Sequence, residues 1–285
     1  MAEYYALQAA LFFSLTHILV RRGLVRSNAL TSSLISLGTS AALYWIWVIL
    51  FVPLSGLWTP AIGYFVAGGF FAPALGQTLG YMGMERIGVA RSMPIVNTSP
   101  IFSSFFAATF LGEVWLLQNI LGTGLVVLGV VILSLSKPAE GQWNKRDALY
   151  PILGALAFGI STNLRKSGLM MVQVPVLAAA VTLGSAFLVV LGIIYFRGGR
   201  SALAFDRQSA SWLFGAALLN TAAILSFFSA LNLGQIVRVE PLVACNPLLT
   251  LLFAGIFLRH LEKLSARVVL GALITVSGTV LVLTT

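Results

Sequence analysis

The run Met93-Pro94-Ile95-Val96-Asn97-Thr98-Ser99-Pro100 has a counterpart in Glu240-Pro241-Leu242-Val243-Ala244-Cys245-Asn246-Pro247, and both lie in apolar segments long enough to cross a bilayer. A proline inside a helix removes one backbone hydrogen bond and clashes with the preceding turn, so a pair repeated at one spacing predicts a bent helix built twice. Hydrocarbon offers nothing to the backbone groups that such a bend frees; protein or a water-filled cavity must satisfy them. The repeat therefore predicts a lined interior space.

Of 285 residues, 59% are hydrophobic and only 9% charged, which excludes a soluble fold. A hydrocarbon core about 30 Å thick takes about 20 apolar residues per helix. Windows of that size tile the chain as ten spans, at 4–20, 29–52, 60–83, 92–111, 115–136, 148–164, 173–196, 209–231, 239–258 and 268–284. The fold class expected is an all-α polytopic membrane protein. The first span follows only Met1-Ala2-Glu3 and runs into Arg21-Arg22, which reads as a retained helix and not a signal peptide. Cys245, the single cysteine, reads as a buried packing thiol.

The net charge of +9 is distributed by side. Fourteen of the 17 basic residues fall in connections after odd-numbered spans, and only Arg165, Lys166 and Arg238 fall on the other side. This positive-inside bias predicts cytoplasmic odd connections and both termini outside. The charge is thus an orientation signal, and no nucleic-acid partner is expected.

The polar stretch from Lys137 to Asp147 reads as a cytoplasmic linker, dividing the chain into 1–136, a linker at 137–147, and 148–285. Across it Tyr5 matches Tyr150, Thr16 matches Ser161, and Arg21 and Gly23 match Lys166 and Gly168 at one constant offset; Glu113, Gly122 and Gly129 match Glu262, Gly271 and Gly278. Each half holds five spans, an odd number, so the second copy is expected upside down relative to the first. These features resemble the drug/metabolite transporter superfamily and its EamA-like ten-helix branch: two five-helix halves, a proline-bracketed fourth helix ending Phe110-Leu111-Gly112-Glu113, and a glycine-spaced fifth helix. The second copy departs from that ending with Arg259-His260-Leu261-Glu262. The resemblance covers essentially the whole chain. It implies alternating-access transport across the cell (inner) membrane, with export of amino acids and related metabolites as the first expectation, or movement of sugars, nucleotide sugars, lipid-linked metabolites, cations or drugs. Described members often keep their termini in the cytoplasm, the reverse of what the charges here give. The last helices of each half are associated with dimerisation or internal packing, so a monomer or a weak homodimer is expected.

Polar groups inside spans are costly and are the first candidates for function. Gln77, Tyr81, Ser92, Asn97, Asn220 and Asn246 are the candidate solute-binding residues; amides both donate and accept, which suits a zwitterionic or polyhydroxylated solute, but they equally glue helices together. Arg91 and Arg238, three residues before the repeated proline, read either as the two mouths of a pathway or as headgroup anchors. Glu240 and His17 are the candidates for carrying a coupling proton, His17 alternatively being a helix-end group. Glu113 and Glu262 read as structural carboxylates at the starts of the fifth and tenth helices. No nucleophile, base and metal-ligand set assembles, so neither an enzyme nor a metal or other cofactor is expected, and no phosphate-binding loop points to ATP. A membrane enzyme or scaffold is the competing class.

Overall fold

The computed structural model describes residues 1–24, 26–52, 59–87, 92, 95–134, 144–257 and 266–284. Among them every regular element is helical: α1 (Ala2–Gly23), α2 (Ala29–Phe51), α3 (Ala61–Gly69), α4 (Gly76–Ile87), α5 (Ser99–Phe110), α6 (Leu117–Ser134), α7 (Leu149–Met171), α8 (Pro175–Phe196), α9 (Arg207–Leu233), α10 (Ile236–Val243), α11 (Asn246–Phe257) and α12 (Ala266–Leu283). Three described helices, at Leu30–Phe51, Pro175–Phe196 and Arg207–Leu233, are long and apolar enough to cross a membrane by themselves. Exposed large apolar side chains are plentiful on their flanks, among them Ile49, Leu50, Leu188 and Phe214, as expected of surfaces that face lipid.

Local chemistry sets the helix ends. Asn28 accepts from the Thr31 amide at 2.9 Å and Asp206 from the Ser209 amide at 3.0 Å, starting α2 and α9. Pro175 occupies the first turn of α8, where its missing N–H costs nothing.

Two breaks interrupt the apolar runs. At Ala244-Cys245 the chain turns between α10 and α11, as the Pro241 and Pro247 bracket predicts. The equivalent turn at Asn97-Thr98 precedes α5, while Met93 and Pro94 lie outside the described residues. The second break was not anticipated. Between α3 and α4 the helix passes through a wide π-turn at Phe70–Leu75, in which Ala72 is extended and Pro73 follows it. Gly68-Gly69 just before it allow close approach: a Cβ at Gly69 would lie 2.2 Å from the Thr182 carbonyl of α8.

The spans meet in matched pairs. α1 lies along α9, and α7 lies along α3 and α4; α2 packs on α8, and α6 on α12; α1 meets α10 and α11, and α7 meets α5. Glycines shape equivalent contacts. A Cβ at Gly23 would meet Leu213 of α9 at 2.5 Å, and one at its counterpart Gly168 would meet Phe65 of α3 at 2.4 Å. The seven-residue glycine spacing serves the α6–α12 pair, where a Cβ at Gly129 would sit 2.6 Å from the Thr275 amide and one at Gly278 2.6 Å from the Val126 amide.

One span limit needs correction. The sixth ends at Met171 and not at 164, so Arg165 and Lys166 lie inside a helix and not in an outer connection. The helix continues because Leu169, Met170 and Met171 extend the apolar run up to the stop at Pro175. The linker at 137–147 falls mostly outside the described residues; its end is tied to α4 by an Arg86 to Asp147 ion pair of 3.1 Å.

The interlock of α6 and α12 leaves no space for a methyl group at Gly129 or Gly278. Either glycine changed to alanine is expected to destabilise the protein by about 1–3 kcal/mol, read as a lowered unfolding temperature in detergent. Gly124, on the open face of α6 with nothing within 4 Å, is the control, and alanine there is expected to be neutral.

Candidate functional site

The polar interior is organised by α7, whose sequence Ser161-Thr162-Asn163-Leu164-Arg165-Lys166 places a run of polar groups far from its N-terminal end. Pro73 cannot continue the hydrogen-bond ladder, and the extended Ala72 before it turns its carbonyl out of the helix. That carbonyl accepts from Ser161 Oγ at 3.1 Å and from the Arg165 guanidinium; Ser161 Oγ also lies 2.7 Å from the Gly68 carbonyl. The Arg165 guanidinium carbon stands 5.5 Å from the centre of the Phe228 ring of α9. Its Nε is buried with no hydrogen-bond partner.

Across from Arg165 stands Glu240 of α10, close enough that each charge acts on the other. Its Oε1 accepts from Thr162 Oγ1 at 2.5 Å. Asn163 stitches α7 to α5, donating to the Ser103 carbonyl at 3.0 Å. At 100° per residue Arg165 shares the face of α7 with Gly154 and Phe158, turned away from the exposed Leu149, Ile152 and Leu153. Arg165 and Glu240 are both half-buried.

At the next residue of α7, a second charged pair holds the connection from α9 to α10. Lys166 Nζ donates to the Leu231 and Gly234 carbonyls at 2.6 and 2.7 Å, closing the C-terminal end of α9. Glu113 accepts from the Ile236 and Val237 amides at 2.9 and 3.0 Å, closing the N-terminal end of α10. Each cap therefore uses the charge sign that the helix dipole favours. Glu113 is structural as expected, but the helix it caps belongs to the ninth span and not the fifth. Burial pushes its carboxyl above the usual range, against the two amides and Lys166, which pull it down. Glu262 lies outside the described residues.

The residues named from sequence are scattered among these elements. Asn220 donates to Ser36 at 3.1 Å and joins α9 to α2; Asn246 donates to the Val243 carbonyl at 3.1 Å within its own turn. Ser92 is buried and donates to the Gly80 carbonyl at 3.2 Å, packing against α4. Asn97 is half-buried in the turn before α5, and Gln77 is half-buried on α4 beside the break. Tyr81 lies on α4 with its side chain outside the described ones, and Arg91 is outside them altogether. Arg238 lines a crevice of about 450 Å³ with Met1, Glu3, Gly234 and Gln235. His17 shares the face of α1 with the fully buried Ala6 and Ala10, opposite the exposed Tyr4 and Leu11, yet is itself exposed.

The EamA-like transporter family profile matches residues 1–135 and again 146–284. The chain belongs to the EamA-like transporter family. An uncharacterized transporter of Bacillus subtilis (strain 168), YvbV, is 24% identical over 203 residues, 70% of this chain. The match spans 65% of that relative's length. A solved crystal structure has the same fold, with a TM-score of 0.80 at 14% identity over 99% of this chain and 96% of the other. With its helices and family, the protein is a multi-pass membrane protein.

Against the internal repeat of this EamA-like chain, the central polar groups stand out as departures. At the offset that matches Arg21 to Lys166, Arg165 stands opposite Val20 and Thr162 opposite His17; Glu240 stands opposite Met93. The one signal that could have marked Arg165 in advance is the apolar stretch continuing beyond Lys166, which puts both cations inside a span.

The Glu113 cap joins two charge-assisted hydrogen bonds to a buried helix end. Its replacement by alanine is expected to cost about 2 kcal/mol, because it leaves both amides unsatisfied in a medium without water. The unfolding midpoint of purified Glu113→Ala in detergent measures this directly.

Proposed function

We propose that the protein is a secondary transporter with ten spans in two inverted five-helix halves, 1–136 and 148–285 joined by the linker 137–147, which exports a small metabolite across the cell membrane by alternating access. An amino acid or a related polar or amphipathic solute is the first reading of the cargo; a sugar, nucleotide sugar or lipid-linked metabolite is the alternative within the family. The observation that carries the reading is the exchange symmetry of the packing. Renumbering the first five spans as the last five turns the α1–α9 pair into the pair of α7 with α3 and α4, leaves α2–α8 and α6–α12 unchanged, and turns the contact of α1 with α10 and α11 into that of α7 with α5. Halves related in this way can rock against each other about a central site without breaking either half.

One end of α7 is held closed in the described state. Around the C-terminal part of α7 the Ala72, Leu231, Gly234, Ile236 and Val237 backbone groups are tied down by Ser161, Arg165, Lys166 and Glu113. On α1 the counterpart of Thr162 is His17, which is exposed. The charge distribution supports external termini, since 14 of the 17 basic residues fall in or beside the connections after odd-numbered spans.

Two measurements test this. Vesicles holding the purified chain and loaded with a small-molecule extract of cells are expected to lose at least one solute that protein-free vesicles retain, by mass spectrometry of the external medium. Retention of every solute overturns the transport reading. A reporter fused after Thr285 that works only outside the cytoplasm is expected to be active, and activity of a cytoplasm-only reporter overturns the orientation.

A further inference from the structure

Three features that the internal repeat does not share converge on one spot. Pro73 breaks the third span, whereas the corresponding eighth span, α9, runs unbroken for 27 residues. Arg165 stands where the first half has Val20, and Glu240 where it has Met93. The break turns the Ala72 carbonyl towards Arg165, and Arg165 lies within electrostatic reach of Glu240. Architecture needs both halves to look alike; recognition of an asymmetric solute needs them to differ.

Arg165 is under-used where it stands. A guanidinium carries five N–H donors in a planar fork suited to a carboxylate. The described structure gives it one hydrogen bond, to the Ala72 carbonyl, and the face of Phe228, and leaves its buried Nε without an acceptor. Glu240 satisfies one oxygen with the Thr162 hydroxyl and, among the described residues, makes no ion pair with Arg165 within 4 Å. An interior arginine and an interior glutamate that do not close on each other each keep bonding capacity for a complementary charge. The stem of Arg165 is braced against α3, passing so near it that a Cβ at Gly68 would lie 3.1 Å from its Cγ.

Building on the transport reading, we infer that Arg165 and Glu240 form the recognition site for a zwitterionic solute, Arg165 taking its carboxylate through Nε and an Nη, and Glu240 taking its ammonium. The Ala72 carbonyl holds the guanidinium in the empty site, and the incoming carboxylate adds acceptors to it where only one backbone oxygen stood. Thr162 fixes the carboxylate of Glu240 with its second oxygen free. A neutral polyol satisfies neither charge, and an amine without a carboxylate leaves Arg165 as it was. The solute class is therefore set by the pair and not by the amides of the broken helices.

The test uses the full chain in proteoliposomes, with the proteinogenic L-amino acids supplied singly in counterflow and the decarboxylated amine of each as competitor. At least one amino acid is expected to accumulate, its amine failing to compete. For that amino acid Arg165→Gln is expected to raise the half-saturating concentration about tenfold or more, the loss expected for charge-assisted hydrogen bonds, with Arg165→Lys recovering part of it. Gly68→Ala, which keeps both charges and displaces the guanidinium, is expected to shift saturation the same way and decides the matter if Arg165→Gln fails to fold. Unchanged saturation in the folded variants overturns the assignment, as does equal competition by the amine. Movement of some other solute from extract-loaded vesicles, with no amino acid carried, overturns the zwitterion site and leaves the transport reading standing.

Discussion

A backbone carbonyl or amide released from a helix inside a membrane has no water to turn to, and the interior of this protein is arranged around that constraint. The break at Ala72 and the two ends of the α9–α10 connection are each met by a side chain from a distant part of the chain. Ser161 and Arg165 serve the Ala72 carbonyl at the π-turn, Lys166 serves the end of α9, and Glu113 serves the start of α10. Three of these four partners are charged. In a soluble protein such ends would be hydrated; here they recruit the few ions the spans contain. The same bonds consequently fix the relative positions of α3, α7, α9 and α10, which no apolar packing alone would specify, since lipid tails satisfy an apolar surface as well as another helix does.

Charges placed for this purpose are also placed for chemistry. Arg165 and Lys166 are neighbours in sequence but point about 100° apart around α7, so one addresses the break and Glu240 while the other addresses the α9–α10 connection and Glu113. Lys166 is matched in the first half by Arg21, and the connection it closes belongs to the shared architecture. Arg165 has no match. The two roles are thus separated onto adjacent residues of one helix.

Much of the architecture was legible because it is written in periodic features. Long apolar windows marked the helices, the proline bracket marked the turn at Ala244-Cys245, and the glycines of α6 and α12 marked a close contact that the structure contains. What escaped was singular. Pro73 occurs in only one half, so a reading organised by repetition passed over it, and Arg165 was assigned to a connection because two cations in succession look like a helix boundary. Distance along the chain hid the rest: Ala72 and Arg165 are 93 residues apart, and Glu113 and Ile236 are 123 apart. No local pattern announces that a carboxylate beside one helix caps another. The amides Asn220 and Asn246 illustrate the converse, since polar residues in spans attract a functional reading while their bonds to Ser36 and the Val243 carbonyl are those of helix glue and a local cap.

The proposed cycle gains from this sparing use of charge. A single hydrogen bond contributes only about 1 kcal/mol net, so a closed side held by a handful of them can exchange with an open one if the opposite side closes on comparable bonds. The two sides here are not chemically equal, because Thr162 and Glu240 are replaced by His17 and Met93 across the repeat. An empty carrier built from unequal mouths rests in one state. A solute that bridges Arg165 and Glu240 supplies an interaction available only when both halves approach it together. Its differential affinity for the two states then sets how far the resting preference is overcome, and the direction of net movement follows the solute gradient and not any asymmetry of the protein.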